Sequence, residues 1–292
     1  MHIWRTFKSD TLALACLFVL AAIILLGAAA PIIAPNDPVD TNLKAKFAPM
    51  SLQYPFGADH LGRCVFSRLL FGIRTTVWFS LIATMTTVAI GTLLGVISGY
   101  FKGWVDETIM RLCDVMLSFP SEVMILAVVG MLGPGLENIV IANIIAKWPW
   151  YTRMIRSIIL QNIDKNFIRF SKVSGSSHFH IMKNHLLPGA FGEIFVLGSL
   201  DTGVVILNIS ALSFLGLGVQ APTPEWGMML NEAKNIMTTH PTQMLAPGIA
   251  VLVVVAAFNF IGDKVRDILD PKHMAKEGKK NESIESGELV CR

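Results

Sequence analysis

Charge is what this chain has least of. Charged side chains make up 15% of its 292 residues, against about 25% in a typical soluble domain. Apolar side chains make up 53%, too many for one water-soluble core to hide, and a disordered chain is excluded for the same reason. The two signs nearly balance, at 24 basic against 21 acidic residues. No basic surplus therefore points to nucleic acid. Cysteine is also sparse. Cys16, Cys64, Cys113 and Cys291 lie far apart with no CxxC pair, which removes a disulfide scaffold and a zinc ribbon and leaves four free thiols as the expectation. Missing too are a GxxxxGK[ST] phosphate loop, an HExxH zinc motif, a GxSxG nucleophile elbow and an evident Ser-His-Asp set. The chain is expected to be non-catalytic and to bind no cofactor of its own. No repeat with a 20–50 residue period is present.

What is present is apolar sequence in long runs. A helix needs roughly 20 apolar residues to cross a bilayer. Thr11 to Ile33 is uncharged and follows Arg5 and Lys8. It reads as a retained anchor, with a cleaved signal peptide as the alternative because Ala28, Ala29 and Ala30 offer small residues. Thr75 to Phe101 is a second uncharged run, in which Gly91, Gly95 and Gly99 fall on one helix face. Such a face admits a second helix at close range; the other reading is simple tolerance of glycine in membrane helices. Two weaker spans follow, Val115 to Leu136, interrupted by Pro120 and Glu122, and Glu137 to Tyr151, which contains Lys147. Gly133-Pro134-Gly135 marks the turn between them. A fifth starts near Pro188, a residue suited to a first helical turn, and runs to about Leu215. A sixth covers about Leu245 to Gly262. The fold class expected is an all-α integral membrane protein of six transmembrane helices.

Basic residues orient it. With the N-terminus inside, Arg5, Lys8, Lys102, Arg111, the segment 153–187 and the tail are all cytoplasmic and carry most of the positive charge. Outside lie Lys44, Lys46, Arg63, Arg68, Arg74 and Lys234, nearly all in the first external loop. The organisation is a cytoplasmic N-terminus (1–10), a membrane domain (11–271), and a charged, solvated tail at 272–292.

The cytoplasmic segment at about 162–187 contains Phe167-Ile168-Arg169-Phe170-Ser171-Lys172-Val173-Ser174-Gly175 and ends at His185-Leu186-Leu187-Pro188. A segment this long and amphipathic is more than a connection. Gly175 suits a positive φ between two short helices, and Ile168, Phe170 and Val173 offer a face to seat in a partner. An interfacial helix on the headgroups is the competing physical reading.

This segment resembles the EAA loop of ABC importer permeases, the element that docks into a cytoplasmic ATPase. Leu61-Gly62-Arg63, Ser67-Arg68, Ser213-Phe214-Leu215-Gly216-Leu217-Gly218, Ala221-Pro222-Thr223-Pro224-Glu225-Trp226-Gly227, Phe258-Asn259, Gly262-Asp263 and Arg266-Asp267 extend the likeness over about residues 10–271. In order and spacing they resemble the second permease subunit of dipeptide, oligopeptide and nickel importers. The family's usual Glu-Ala-Ala is Arg169-Phe170-Ser171 here, and Cys64 stands where the family generally has Asp.

The resemblance implies a multi-pass protein of the bacterial cytoplasmic (inner) membrane. Its implied partners are a homologous permease, two ATPase subunits that carry the ATP and Mg, an extracytoplasmic solute-binding protein and the lipid bilayer. Arg169, Phe170, Ser171, Ser174, Gly175, Leu187 and Pro188 would form the ATPase-coupling loop. On physics alone a self-sufficient secondary transporter stays open, although it should show paired intramembrane charges in two halves.

For the solute, Lys147-Trp148-Pro149-Trp150-Tyr151-Thr152-Arg153 and Asp201-Thr202-Gly203 resemble nickel-type members more than dipeptide ones, so nickel or a nickel chelate is favoured with a peptide as the alternative. A carboxylate such as Asp201 within a span costs about 2.5 kcal/mol or more on insertion scales. It is read equally as a pathway charge, together with Asn208, or as a structural bond to a neighbour such as Lys147. His178 and His180 lie on the coupling segment and His60 and His240 outside, none in a ligand cluster. Trp148, Trp150, Tyr151 and Trp226 read as interfacial aromatics.

Overall fold

The computed structural model describes residues 10–269. The expected tail at 272–292, Cys291 and the N-terminus before Asp10 lie outside the described residues. Nine helices carry the description: α1 Thr11–Ile33, α2 Val65–Phe101, α3 Gly103–Leu117, α4 Ser121–Leu132, α5 Leu136–Asn162, α6 Asn166–Val173, α7 His178–Phe214, α8 Trp226–Ala233 and α9 Thr242–Leu269.

Four of these, α1, α2, α7 and α9, are long and apolar enough to cross a membrane, and the α3–α4 pair makes a fifth if it counts as one span. The pair is bent by 82°. The bend falls at Ser118–Pro120, where Pro120 interrupts the expected span from Val115 to Leu136, and the break is complete enough to make two helices. Pro120 supplies no amide and disfavours helix in the residue before it. Glu122 lies in the first turn of α4, where a carboxylate suits the helix dipole. The turn at Gly133-Pro134-Gly135 is present, with Gly133 at φ +87°.

Three other boundaries move. The second helix begins at Val65 rather than near Thr75, and a π turn at Arg74–Trp78 joins its two parts. Arg74 set the expected limit there, but it lies exposed within the π turn, and Arg68, six residues before it, is buried and ion-paired, so neither charge ends the helix. Helix α5 continues to Asn162, placing Arg153 and Arg156 on the helix instead of in the loop. Helix α7 begins at His178, and a π turn at Met182–Leu186 precedes Leu187 and Pro188. Pro188 therefore does not open the helix. The wider turn accommodates a proline ring that would clash with a carbonyl in a regular interior.

Helix α1 starts at Asp10, whose carboxylate accepts the amides of Leu12 and Ala13 at 3.0 and 3.2 Å. Much of its apolar surface stays open, with Phe18 74% and Ile32 88% exposed, as suits a helix against lipid. Helices α2 and α5 form the closest pairing. A Cβ on Gly95 would lie 2.8 Å from the Thr152 carbonyl oxygen, and one on Gly99 2.8 Å from Ile159 Cγ2. The glycine face is thus a packing seam, as its spacing suggests.

The core has three main clusters. One joins α1, the outer part of α2, α8 and α9 around Leu20, Val77, Trp226 and Val254. The second joins the inner parts of α2, α5 and α7 with Ile168 of α6. The third packs α4 on α5 and α7 through Ile125, Ile139 and Ile209. Cys16, Cys64 and Cys113 are unpaired.

Candidate functional site: a paired lysine and aspartate beside a cavity, and a projecting helix

Helix α5 carries Lys147 near its middle, and α7 carries Asp201. Packing of the two helices brings Lys147 Nζ to 2.5 Å from Asp201 Oδ1, and the Tyr151 hydroxyl donates to Asp201 Oδ2 at 3.0 Å. Tyr151 lies four residues after Lys147, one turn along the same face. Tyr151 is fully buried, which corrects its reading as an interfacial aromatic. The i,i+4 spacing from Lys147 is the signal that would have placed it with the pair. Trp226 is also buried, donating from Nε1 to the Leu69 carbonyl at 3.1 Å and packing on Gly72.

Lys147 and Asp201 border a cavity of about 390 Å³ between the α3–α4 bend, α5 and α7. Leu117, Phe119, Trp150 and Val204 give it apolar walls, and Ser121 and Glu122 add polar groups. Asp201 thus bonds Lys147 and also faces a cavity. Asn208 is not among the residues around that cavity. Its Nδ2 is buried without a hydrogen-bond partner.

The other basic residues of α5 are matched as well. Arg156 donates through Nε and Nη2 to the two oxygens of Asp106, each at 2.5 Å, and Ser98 donates to Asp106 Oδ1. Arg153 pairs with Asp114. These acids lie on α3, so they clamp that helix to α5.

On the cytoplasmic side as oriented above, the residues expected in the coupling loop separate by structure. Ile168 is fully buried in the second core cluster, while Phe170 and Val173 are 73% and 87% exposed. The expected single face of Ile168, Phe170 and Val173 is thus corrected: at 100° per residue, Ile168 points away from Phe170 and Val173. Ile168 anchors α6, and the other two project. Gly175 has φ +77°, with open space where a side chain would go. Arg169 reaches Asp164 at 3.6 Å, and Ser171 Oγ lies 3.2 Å from His185 Nε2. Ser174 follows α6 as its C-terminal cap, whereas Leu187 and Pro188 belong to α7. His178 Nδ1 meets the Tyr100 hydroxyl at 2.8 Å, fastening the start of α7 to α2.

At the opposite end, Arg63 and Arg68 are each 1% exposed. Arg63 bonds Asp59 at 2.6 Å and Glu232 at 2.8 Å, and Arg68 bonds Glu232 at 2.9 Å. This network offsets much of the positive charge expected in the first external loop, which sat awkwardly with orientation by basic residues. Nearby, the carboxylate of Glu225, fully buried, accepts Thr76 Oγ1 at 3.0 Å and the amides of Gly227 and Met228 at 2.9 and 2.8 Å. It caps α8 and ties it to α2. Asp59, Glu225 and Glu232 find their partners through the fold; Glu225 stands at the N-cap of α8, and an acidic residue just before that helix is the one signal that could have marked it. His240 stacks on Phe47 with ring centroids 3.9 Å apart. Among the described residues no group of three or more His, Cys, Asp and Glu side chains is placed to hold a metal.

Comparison with known proteins fits this architecture. Residues 91–274 match the family model described as a binding-protein-dependent transport system inner membrane component. Residues 2–53 match the N-terminal TM domain of oligopeptide transport permease C. The chain is 42% identical over 287 residues to the metal-staphylopine import system permease protein CntC of Staphylococcus aureus, covering 98% of this chain and 99% of that protein. It is 38% identical over 243 residues to the nickel transport system permease protein NikC of Escherichia coli, covering 83% and 87%. With the dipeptide transport system permease protein DppC of Alkalihalophilus pseudofirmus it shares 37% over 269 residues, covering 92% and 88%. A crystal form of the MetNI methionine ABC transporter in inward-facing conformations shares the fold, with a TM-score of 0.56 at 17% identity, covering 70% of this chain and 97% of that one. The chain belongs to the binding-protein-dependent inner-membrane permeases of ABC importers, in their peptide and nickel branch.

Proposed function

We propose that this chain is one of two permease subunits of an ATP-driven importer and that its solute is a metal, nickel favoured, bound to an organic chelator. Six spans with both ends cytoplasmic complete the reading: α1, α2, the bent α3–α4 pair, α5, α7 and α9. Helix α5 is too charged to qualify by composition, but its Lys147, Arg153 and Arg156 are each paired to an acid, which lowers the cost of placing it among the spans.

The carrying observation is the two-sided α6. Ile168 is locked in the permease core while Phe170 and Val173 project beside Gly175. Such an element transmits force: an ATPase gripping the exposed side chains moves a helix that the buried one ties to α5 and α7. In the proposed cycle the binding protein delivers solute outside, and ATP-driven closure of two ATPases displaces α6. The two permeases then switch the side to which their shared pathway opens. Coupling requires that the ATPases contact the two states unequally, since equal binding shifts nothing.

The chelate reading is supported by the relative named for metal-staphylopine import, which aligns over nearly the whole of both chains. A peptide is the second reading, favoured by the DppC likeness. The test of coupling is Phe170→Glu with Val173→Glu, two exposed changes that spare the core. The altered chain should still pair with its partner permease in the membrane, while ATP-driven uptake falls at least tenfold. Uptake at the normal rate would overturn the assignment of α6.

A further inference from the structure

A buried ion pair sealed on all sides can only hold two helices together. One that borders a cavity has a further use, because a ligand can take its partners' places without leaving a charge bare. Lys147 and Asp201 are such a pair. Their side chains keep 11% and 15% of their surface open, both face the 390 Å³ cavity, and Tyr151 holds Asp201 by its second oxygen. Asp201 thus stays anchored if Oδ1 exchanges Lys147 for another donor.

The charge pattern selects among solutes. A bare divalent cation would be drawn to Asp201 and Glu122 but repelled by the Lys147 ammonium between α5 and α7. Among the described residues no three-ligand cluster exists to replace its water. A group with a carboxylate beside an N–H donor suits the site from both ends. Its carboxylate meets Lys147, its N–H meets Asp201, and one ion pair becomes two charge-assisted contacts. Trp150, Phe119, Leu117 and Val204 supply apolar walls for the remainder of the solute.

We propose that this cavity is a solute-binding site of the translocation pathway and that it recognises an amino-carboxylate group. Lys147 binds the carboxylate, Asp201 binds the amine, and Tyr151 positions Asp201. The amine is a free ammonium in a peptide and a metal-bound N–H in an aminocarboxylate chelate; the recognition chemistry is shared. This inference rests on the importer reading above and gives it a solute class.

The test uses the complete importer with its binding protein in proteoliposomes, supplied with nickel chloride, nickel with excess L-histidine, or the dipeptide Ala-Ala. The wild type should take up one of the two amino-carboxylate probes in an ATP-dependent manner, at least tenfold faster than nickel chloride. The preferred probe tells chelate from peptide. The charge exchange Lys147→Asp/Asp201→Lys keeps a pair between α5 and α7 but reverses the polarity offered to solute. It should assemble with the other subunits and raise the KM for the transported probe at least tenfold. If the exchanged chain does not assemble, the neutral pair Lys147→Gln/Asp201→Asn is measured instead, with the same expected rise in KM. An unchanged KM in the variant measured, or equal uptake of nickel chloride and nickel–histidine by the wild type, overturns the site. Absence of ATP-dependent uptake of all three by the wild type overturns the importer reading itself, a distinct result.

Discussion

Replacing Gly95 by alanine adds one methyl group to the chain and should weaken the membrane domain at the α2–α5 seam. The new Cβ would stand 2.8 Å from the Thr152 carbonyl oxygen, 2.9 Å from Ile155 Cβ and 3.0 Å from the Arg156 amide nitrogen. Carbon atoms pack comfortably at about 3.5–4.0 Å, so α5 must retreat by roughly half an ångström or more. Two of the three obstacles are backbone and cannot rotate aside. Overpacking of this kind costs about 1–3 kcal/mol. Gly130→Ala is the matched control, because nothing lies within 4 Å of a Cβ there and Gly130 is inside helix α4. Alanine at a helix interior gains about 0.5–1 kcal/mol over glycine, so the same chemical change should have the opposite sign. Thermal unfolding of the purified complex, followed by a thiol-reactive dye at the buried cysteines, reads both. A lowered midpoint for Gly95→Ala and an unchanged or raised one for Gly130→Ala are expected. Equal midpoints, or a larger loss at Gly130, would refute the seam.

Three other perturbations follow from named contacts. Removing the shared acceptor in Glu232→Ala leaves Arg63 and Arg68 buried without it; a loss of about 3–5 kcal/mol is expected, read as a lower unfolding midpoint, and a midpoint equal to wild type contradicts the network. Cys64 occupies the N-cap of α2 without a side-chain cap bond, so Cys64→Ser, which supplies an acceptor, should raise stability by about 1 kcal/mol; a loss would show that burial of the hydroxyl outweighs the cap. The hydrogen bond from Lys264, at 2.6 Å, and the Ala13 amide hold the Asp10 carboxyl below its ordinary value of 3.8. A depressed acid stabilises the fold above its unfolded pKa, and that contribution fades as pH falls through the lowered value. The difference between wild type and Asp10→Asn should therefore be present near about pH 7 and shrink toward about pH 3. A difference that is constant over this range refutes the tie between α1 and α9.

How much of this was legible beforehand depends on whether a feature is set by neighbours in sequence or by neighbours in space. Helix α1 could be delimited from Thr11 to Ile33 because nothing charged interrupts it, and the glycine face of α2 declared itself by spacing alone. Gly175 likewise showed its turn through its chemistry. The outer start of α2 was hidden because Arg68 reads as a solvent residue until Glu232, 164 positions later, is brought against it. The cytoplasmic extension of α5 was hidden by Arg153 and Arg156, whose acids lie on α3. Tyr151 was misplaced because an aromatic near a predicted span end suits the interface, and only the fold shows its hydroxyl turned inward to Asp201. Ile168 was grouped with Phe170 and Val173 by polarity, whereas helical angle assigns it to the opposite side. The ion pair of Lys147 and Asp201 was one of two readings of an expensive carboxylate; the cavity beside it depends on the bend at Pro120 and on helix packing.

On the proposed reading, this chain should move solute only when ATPases drive α6. The direct measurement is solute uptake into proteoliposomes holding the chain with its partner permease, two ATPases and binding protein, compared with vesicles holding the chain alone. Uptake should require ATP and every partner, and Phe170→Glu with Val173→Glu should lower it at least tenfold. Uptake by the chain alone without ATP, or full ATP-driven uptake by the double variant, would contradict that reading.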